Sequence, residues 1–569
     1  ISELYGQKKA NLVVFAGFIA SMFVLLFLWL GGQFNAIPDS LVSDDIYNSV
    51  FRNAWRIIAA SMIAYLISQF ITYFGFFLLL PAVVFFFPRH IPESNPLYYQ
   101  VIPFLLSSII TVILGFSLSR AFNDSVSLKK DLTRKDGFLL ASLVWLVAGL
   151  LGSLPYIFSS INLFGLIDSP IFQSNIIVNS IFESISGITT TGATSFSPFP
   201  DVANHQFLIF WRSLCQWLGG IGIILLVLVV FPRISVGVMQ IATDQEGSGP
   251  QKERITPRLY ETGITLLYIY VGLSITLGLL LYTLTNLNLF DSVIHTLSTV
   301  SSGGFSSYPL NIESLDSILI ESIIVLFMFL SGISFAVFYF LISGNYKKII
   351  QNSEFKAYVF INFLLIIFVV FSINKFYDFE SFYQALRYGI FQSISLSTGT
   401  GFTSFNFDLW TKHTKIILLV FMILGGCSGS TTGGIKIIRL LIIFKRMMIE
   451  IKRRVSPNIV STVKINGKSI DEEIVSGVFS FMGLYILICT IAPILIMVFE
   501  SNVTAFTAFS AVLSCITNVG PGFEQINPHQ HYAFFSSSSK VLLSFLMLLG
   551  RLEIFTIFAL LIPSFWKKY

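Results

Sequence analysis

The sequence contains little charge and little cysteine. Aspartate, glutamate, lysine and arginine make up 11% of its 569 residues, against about a quarter in soluble proteins. The net charge of +5 comes from basic residues in short loops, and no basic face is present that would indicate a nucleic-acid partner. The 4 cysteines and 6 histidines lack the spacing of a metal site or a disulfide framework. No dinucleotide-binding fingerprint occurs, so we expect no nucleotide bound by this chain.

Apolar residues are abundant, at 54% of the chain, and phenylalanine alone supplies 59 of them. Several runs of about 20 or more apolar residues follow one another, each long enough for a helix that crosses a lipid bilayer. The predicted fold class is therefore an all-α polytopic membrane protein. Three of these helices lead the chain, near residues 11–31, 55–87 and 100–122. A signal peptide is the alternative for residues 11–31, but no small-residue cleavage site follows them.

One unit then occurs four times: a helix, a short apolar segment, a turn rich in glycine, threonine or serine, and a second helix. The short segments contain too few residues to cross a bilayer, so each is predicted to enter the membrane and turn back. Four such units predict pseudo-symmetric helix–pore loop–helix repeats around one central pore. The predicted domains are 1–54 (an extra N-terminal transmembrane helix and connector), 55–136 (two leading helices), 137–231 (repeat 1), 232–260 (a cytoplasmic loop), 261–345 (repeat 2), 355–448 (repeat 3), 449–473 (a second cytoplasmic loop) and 474–569 (repeat 4).

The four turns are the candidate ion-binding site. Glycine tolerates unusual backbone angles, so such a run can direct carbonyl groups inwards to replace the water shell of a cation. Aligning the turns places Gly192, Gly303, Gly401 and Gly520 in register, 111, 98 and 119 residues apart. For a single turn, an ordinary loop between two helices is the alternative. The predicted filter residues are Thr190, Thr191, Gly192, Ser301, Ser302, Gly303, Gly399, Thr400, Gly401, Asn518, Val519 and Gly520.

The loops that follow the repeats are rich in lysine and arginine, which predicts that they lie in the cytoplasm. They include residues 232–260 and 445–470, so all four turns are predicted to enter the membrane from outside. Three carboxylates lie near the turns. For Glu183 and Asp291, anchoring of the pore helices is favoured over ion binding. Glu524 either concentrates cations at the outer mouth or is a solvated surface carboxylate.

A glycine-rich stretch interrupts the long apolar segment near residues 414–448. Its glycines and its serine/threonine run disfavour a continuous helix, so residues 425–434 are predicted to form an intramembrane loop below the filter, with a kink as the alternative. Arg551 lies inside the last apolar helix, where an arginine faces a partner or a cavity. Its donors could hold the carbonyls of the loop, and a simple tie between two helices is the alternative. The predicted gate residues are Gly425, Gly426, Ser428, Gly429, Ser430, Gly433, Gly434 and Arg551.

Several stretches, together with the four turns, resemble the Trk/Ktr/HKT superfamily of potassium transporters. They are residues 210–223 (FWRSLCQWLGGIGI), 255–258 (ITPR), 425–436 (GGCSGSTTGGIK) and 550–553 (GRLE). Within the superfamily the sequence is most similar to the TrkH family, the pore subunits of bacterial Trk systems. The resemblance covers about residues 55–569. The helix at 11–31 departs from it, because the family pattern has two leading helices and this chain has three.

The resemblance implies uptake of K⁺, the transported ion, across the bacterial cytoplasmic (inner) membrane through a pore with one filter glycine per repeat. Plant relatives that carry Na⁺ have serine at the first of these positions, so Gly192 favours K⁺. The resemblance also implies a homodimer of pore subunits and cytoplasmic TrkA-like nucleotide-binding regulatory subunits.

Three other functions compete with K⁺ uptake. The alternative within the superfamily is an Na⁺-coupled or Na⁺-permeable transporter. A secondary transporter for another substrate is usually built from inverted repeats, whereas the four repeats here share one orientation. No constellation of paired carboxylates, metal ligands or a nucleophile occurs at a membrane surface, so the chain is predicted not to be an enzyme.

Overall fold

The computed structural model describes residues 62–87, 97–123, 134–161, 171–172, 175–230, 256–377, 381–457 and 461–562. The predicted N-terminal domain, residues 1–54, and most of the predicted cytoplasmic loop 232–260 lie outside the described residues.

Nearly all of the described secondary structure is helical. In chain order the α-helices are α1 (Met62–Phe77), α2 (Leu97–Asn123), α3 (Arg134–Leu151), α4 (Leu154–Ser160), α5 (Ile176–Ile188), α6 (Gln206–Val230), α7 (Thr256–Leu284), α8 (Leu289–Val300), α9 (Ile318–Ser331), α10 (Phe335–Ile342), α11 (Tyr346–Gln351), α12 (Ser353–Phe376), α13 (Phe382–Ser397), α14 (Lys412–Ile423), α15 (Ile437–Val455), α16 (Glu472–Phe499), α17 (Ala505–Thr517), α18 (Ser537–Arg551) and α19 (Ile554–Leu561). Short 3₁₀ helices cover Leu80–Phe86, Asn311–Leu315, Phe407–Leu409, Glu524–Ile526 and Tyr532–Phe534. One antiparallel hairpin pairs β1 (Lys464–Ile465) with β2 (Lys468–Ser469).

The chain forms two compact units. Of the described residues, those within 1–83, 101–159 and 555–569 form the first, and those within 84–100 and 160–554 form the second. In the described part of the first unit, α1 and α3 pack through a cluster of buried aliphatic side chains: Ile67, Ile71, Leu139, Leu143 and Val147. The second unit contains all four turns and the glycine-rich stretch.

Six of the described helical segments are long and apolar enough to cross a membrane. The number rises to eight if two bent pairs, α9 with α10 and α18 with α19, each count as one span. These spans confirm the predicted all-α polytopic membrane fold.

Four shorter helices, α5, α8, α13 and α17, precede the four turns, and we call them the pore helices. They have 12 to 16 residues and are therefore about 18–24 Å long, less than the hydrocarbon core of about 30 Å. Three of them are capped at the N-terminus by Asn288, Ser381 and Thr504. Each of these side chains accepts the backbone N–H of the residue three positions later. These caps satisfy a donor that the first turn leaves unpaired.

The second helix predicted for repeat 2 is interrupted, because α9 ends at Ser331 and α10 begins at Phe335, with a bend of 96°. The backbone groups at the break bind the glycine-rich stretch instead of continuing the helix. The Gly332 carbonyl accepts the Cys427 N–H at 2.9 Å, and the Phe335 N–H donates to the Gly429 carbonyl at 3.0 Å. A tertiary contact of this kind leaves no periodic signal in the sequence.

The last apolar helix predicted for repeat 4 is also interrupted. Helix α18 ends at Arg551 and α19 begins at Ile554. Glu553 lies between them at a φ of +59°, a left-handed conformation that a continuing α-helix does not contain.

Candidate functional site

The chain after each pore helix makes the same turn. First comes a residue with positive φ, then a residue whose N–H donates to the carbonyl five positions earlier, and then a glycine with positive φ. The first positions are Thr190, Ser302, Gly399 and Asn518, with φ between 55° and 67°. The second positions are Thr191, Gly303, Thr400 and Val519, with N···O distances of 2.8–3.0 Å. The third positions are Gly192, Gly304, Gly401 and Gly520, with φ between 76° and 98°.

This geometry corrects the predicted register of repeat 2 by one residue. Gly304, not Gly303, occupies the position of Gly192, Gly401 and Gly520. The sequence offers two adjacent glycines, and only the backbone angles and hydrogen bonds distinguish them. Ser302 takes the first position of the turn, so Gly303 takes the second, where the other repeats carry a side chain.

The four turns close into a ring. A β-carbon on each third-position glycine would lie within 2.5 Å of a second-position carbonyl oxygen in the next repeat, far inside van der Waals contact. The pairs are Gly192 with Gly303 (2.3 Å), Gly304 with Thr400 (2.0 Å), Gly401 with Val519 (1.8 Å) and Gly520 with Thr191 (2.5 Å). The second-position carbonyls therefore form one cycle in chain order, and only glycine fits beside each of them.

The predicted filter residues lie together at this ring, eleven of them buried and Gly192 partly exposed. The four third-position glycines line a cavity of about 260 Å³ that is also lined by Arg212, Phe305 and His531. Burial lowers the pKa of His531 below its ordinary value of 6.5. The lining of the cavity contains no residue of the glycine-rich stretch.

Buried polar side chains anchor the backbone that leaves each of the first two turns. Glu183, in the middle of α5, accepts the Ser195 N–H at 2.9 Å and the Arg212 Nε–H at 2.8 Å. Asp291, in the first turn of α8, accepts the hydroxyls of Ser307 and Tyr308 at 2.5 and 3.0 Å. Both carboxylates therefore fasten the end of a turn to its own pore helix.

Glu524 does not line the cavity at the ring. Its carboxylate accepts the hydroxyl of Thr507 at 2.8 Å in the first turn of α17, and it lines a separate cavity with Glu500. A carboxylate in that position complements the N-terminal end of a helix.

The glycine-rich stretch leaves the helical path between α14 and α15. The Gly425 N–H donates to the Ile435 carbonyl at 2.9 Å, and the Ile435 N–H donates to the Ile423 carbonyl at 3.0 Å, which ties the two ends of the stretch together. We call residues 424–436, which contain the predicted intramembrane stretch 425–434, the intramembrane loop. Of the predicted gate residues in it, Gly425, Gly426, Ser428, Gly429 and Ser430 are buried, and Gly433 and Gly434 are partly exposed.

The intramembrane loop lies against the C-terminal ends of two pore helices. A β-carbon on Gly433 would be 2.1 Å from the Thr517 carbonyl oxygen, and the Thr431 hydroxyl donates to the Val300 carbonyl at 3.1 Å. Arg551 contacts the same part of the loop. Its buried guanidinium donates to the carbonyls of Thr431 at 2.7 Å and Gly219 at 3.2 Å.

Sequence reasoning missed Glu354, which also holds the loop. Its buried carboxylate, at the start of α12, accepts the Ser428 N–H at 2.6 Å and the Ile438 N–H at 3.2 Å. In the sequence it has only the features of an ordinary acidic residue in the first turn of a helix, two residues before Lys356. Arg439 and Glu553 form a further ion pair, which joins α15 to the chain just beyond Arg551.

The anchoring role of Glu183 predicts a loss of stability in Glu183→Gln. Removing one charge of a buried ion pair leaves the other uncompensated, at a cost of about 3–5 kcal/mol. We expect the thermal unfolding midpoint of the detergent-solubilised protein to fall by several degrees. Glu313→Gln is the matched control, because Glu313 pairs with His529 at a partly exposed site, where such pairs contribute about 0–1 kcal/mol. Equal midpoints for the two variants would contradict the anchoring role.

A family of known proteins matches most of this chain. The sequence model of the TrkH family, "Cation transport protein", matches residues 103–568. A second model, "Putative vitamin uptake transporter", matches residues 1–80, the part of the chain that contains the additional predicted helix at 11–31.

Curated relatives are similar over most of their length. The chain is 34% identical over 442 residues to the Trk system potassium uptake protein TrkH of Escherichia coli K12, covering 77% of this chain and 88% of that protein. It is 36% identical over 444 residues to the protein of the same name from Halomonas elongata, with the same coverage. The crystal structure of the potassium transporter TrkH from Vibrio parahaemolyticus superposes with a TM-score of 0.77 at 30% identity, covering 90% of this chain and 99% of that one.

Proposed function

Because the chain belongs to the TrkH family of cation transport proteins, ion transporters and not enzymes, we propose that it takes up K⁺ through the ring of four turns. The observation that carries the proposal is the closed cycle of second-position carbonyls beside four glycines. Two relatives in this family are named potassium uptake proteins. The membrane is proposed to be the bacterial cytoplasmic membrane.

The ring supplies the chemistry that a dehydrated cation requires. Backbone carbonyl oxygens replace the water shell, and K⁺ passes because it loses that shell at lower cost than Na⁺ does. The four pore helices end at the ring, so their partially negative C-terminal ends point towards the ion. The outer cavity admits the hydrated cation, and the third-position glycines let it reach the carbonyls without a side chain in the way.

This filter predicts that Gly192→Ser lowers the preference for K⁺ over Na⁺ and that bulkier residues abolish transport. The added side chain would occupy the position of the Gly303 carbonyl and turn it away from the axis. A side chain at Gly304, Gly401 or Gly520 is expected to have the same effect on the carbonyl of the next repeat. The measurement is the ratio of Rb⁺ to Na⁺ flux into proteoliposomes.

Gly344→Ala is the matched control for the filter variants. Gly344 has a φ of +70°, and no atom lies within 4 Å of the position that a β-carbon would take there. The variant therefore reproduces the backbone strain without blocking a carbonyl. An unchanged flux ratio in single variants at all four ring glycines would rule out the filter.

We propose the intramembrane loop as the gate. It packs against the C-terminal ends of α8 and α17. Arg551 of α18 donates to one carbonyl in the loop and to one in α6, and so connects the loop to both helices. Its backbone depends on side chains such as Arg551 and Glu354 for partners, because lipid offers none. An open state requires these contacts to break, so the loop is a two-state element.

The gate predicts that Arg551→Ala raises Rb⁺ flux without altering the preference for K⁺ over Na⁺, because the ring itself is unchanged. Shortening residues 428–432 is expected to have the same effect. Arg120→Ala controls for loss of an arginine, since Arg120 is exposed and lies over the Phe116 ring. A folded Arg551→Ala protein that carries no more Rb⁺ than the parent would disprove the gate.

The proposed assembly is a homodimer of pore subunits with a cytoplasmic ring of TrkA-like nucleotide-binding subunits. The relatives are named as parts of a Trk system. The C-terminal part of α15 and the β1–β2 hairpin carry an exposed basic surface that suits an acidic partner: Lys452, Arg454, Lys464 and Lys468. No nucleotide is proposed to bind this chain directly.

The assembly predicts that the TrkA-like protein of the same organism co-purifies with this chain and changes its Rb⁺ flux when nucleotide is added. Charge reversal in Lys452→Glu/Arg454→Glu is expected to weaken the complex at least tenfold, as loss of charge complementarity does at interfaces. Lys375→Glu is the control, because Lys375 lies near the end of α12 and the β1–β2 hairpin contacts the start of that helix. Failure of the parent protein to bind such a ring would refute this part of the proposal.

A further inference from the structure

The second position of the turn differs in repeat 2. Three repeats carry a β-branched residue there, Thr191, Thr400 and Val519, whereas repeat 2 carries Gly303. β-Branched residues have restricted side-chain and backbone freedom. Two consecutive glycines, Gly303 and Gly304, have the greatest freedom. The carbonyl of Gly303 therefore needs another constraint to hold its place in the ring.

Gln216 of α6 fills the space of the missing side chain. A β-carbon on Gly303 would lie 2.3 Å from the Gln216 Cδ and 2.5 Å from its Oε1. The side chain of Gln216 is fully buried. Gly303 has no left-handed φ, so its backbone would accept a side chain if Gln216 did not occupy the site.

The amide of Gln216 binds the backbone on both sides of Gly304. Its Nε2–H donates to the Gly303 carbonyl at 2.5 Å, and its Oε1 accepts the Phe305 N–H at 3.2 Å. In the part of the chain that the structure describes, no side chain donates to the other three second-position carbonyls. A carbonyl oxygen has two lone pairs, so the Gly303 oxygen can accept this bond and still face an ion.

We propose that Gln216 is a positioning residue that sets ion specificity by orienting the Gly303 carbonyl, in place of the side chain that repeat 2 lacks. This inference rests on the proposed filter. Gln216 acts through the carbonyl and does not itself contact the ion. Gln216 and Gly303 form a complementary pair across two repeats.

The pair is tested by Rb⁺ and Na⁺ flux into proteoliposomes. Gln216→Ala should lower the Rb⁺-to-Na⁺ flux ratio about tenfold, the factor expected for the loss of one ordinary hydrogen bond. Gln216→Met, which retains the bulk but cannot donate, should lower the ratio as well. Cys215→Ala controls for truncation of a neighbouring buried side chain on α6, since Cys215 packs on the pore helix at Gly187.

The decisive test places a side chain at Gly303 and removes the side chain of Gln216. Gly303→Thr alone should block flux, because its β-carbon collides with Gln216. Gly303→Thr/Gln216→Ala gives repeat 2 the residue found in repeats 1 and 3, and should restore both flux and the parent flux ratio. A residue with a merely structural role would not be rescued in this way.

The outcomes separate this inference from the filter itself. If Gly192→Ser and Gly401→Ser lower the flux ratio while folded Gln216→Ala and Gln216→Met retain the parent ratio, the role of Gln216 is overturned and the filter stands. Failure of the double variant to recover flux would also overturn it. If the glycine variants retain the ratio too, the filter is wrong.

Discussion

Four stretches of backbone approach one another so closely at the ring that a single β-carbon at Gly192, Gly304, Gly401 or Gly520 would collide with a carbonyl oxygen. The rest of the second unit serves this constraint. Each pore helix is short because it must end at the ring, and each turn has positive φ at fixed positions because the chain must reverse there. Buried carbonyl groups with few protein partners are costly in the absence of a ligand. The surrounding structure must therefore hold them in place.

Side chains around the ring hold the turns in place through hydrogen bonds and an ion pair, and these side chains differ between repeats. Asn518 donates to the Thr191 hydroxyl at 2.9 Å and to the Met547 carbonyl at 3.0 Å, so it links the turns of repeats 4 and 1 to α18. Repeat 1 uses the Glu183–Arg212 pair, whose guanidinium also lies 3.8 Å from the Phe305 ring centroid. The four turns thus share one backbone geometry, but different side chains stabilise each of them. Such differences are expected if the repeats have diverged everywhere except at the ring.

The repeats, the short pore helices and the break near residues 425–434 could all be predicted, because each leaves a local signal: apolar length, glycine content or periodicity. The features that could not be predicted depend on contacts between distant segments. Gly303 and Gly304 are equivalent in the sequence, and only the neighbouring repeat decides which one meets a carbonyl. The bend between Ser331 and Phe335 is held by two backbone hydrogen bonds: the Cys427 N–H donates to the Gly332 carbonyl, and the Phe335 N–H donates to the Gly429 carbonyl. Gln216 and Glu354 gain their roles from segments 87 and 74 residues away, beyond the reach of any local pattern.

The gate proposed for residues 424–436 would have to move without disturbing the ring. The Ser302 hydroxyl, at the first position of the second turn, lies 3.0 Å from both the Ser331 and Thr431 hydroxyls. One hydroxyl group of the second turn therefore contacts both the end of α9 and the intramembrane loop. If Thr431 moved with the loop in the proposed open state, Ser302 would lose one of its two hydroxyl partners and keep the other. The turn can thus retain its conformation while the loop changes, which is what a pore needs if its gate is to open without altering which ion it admits.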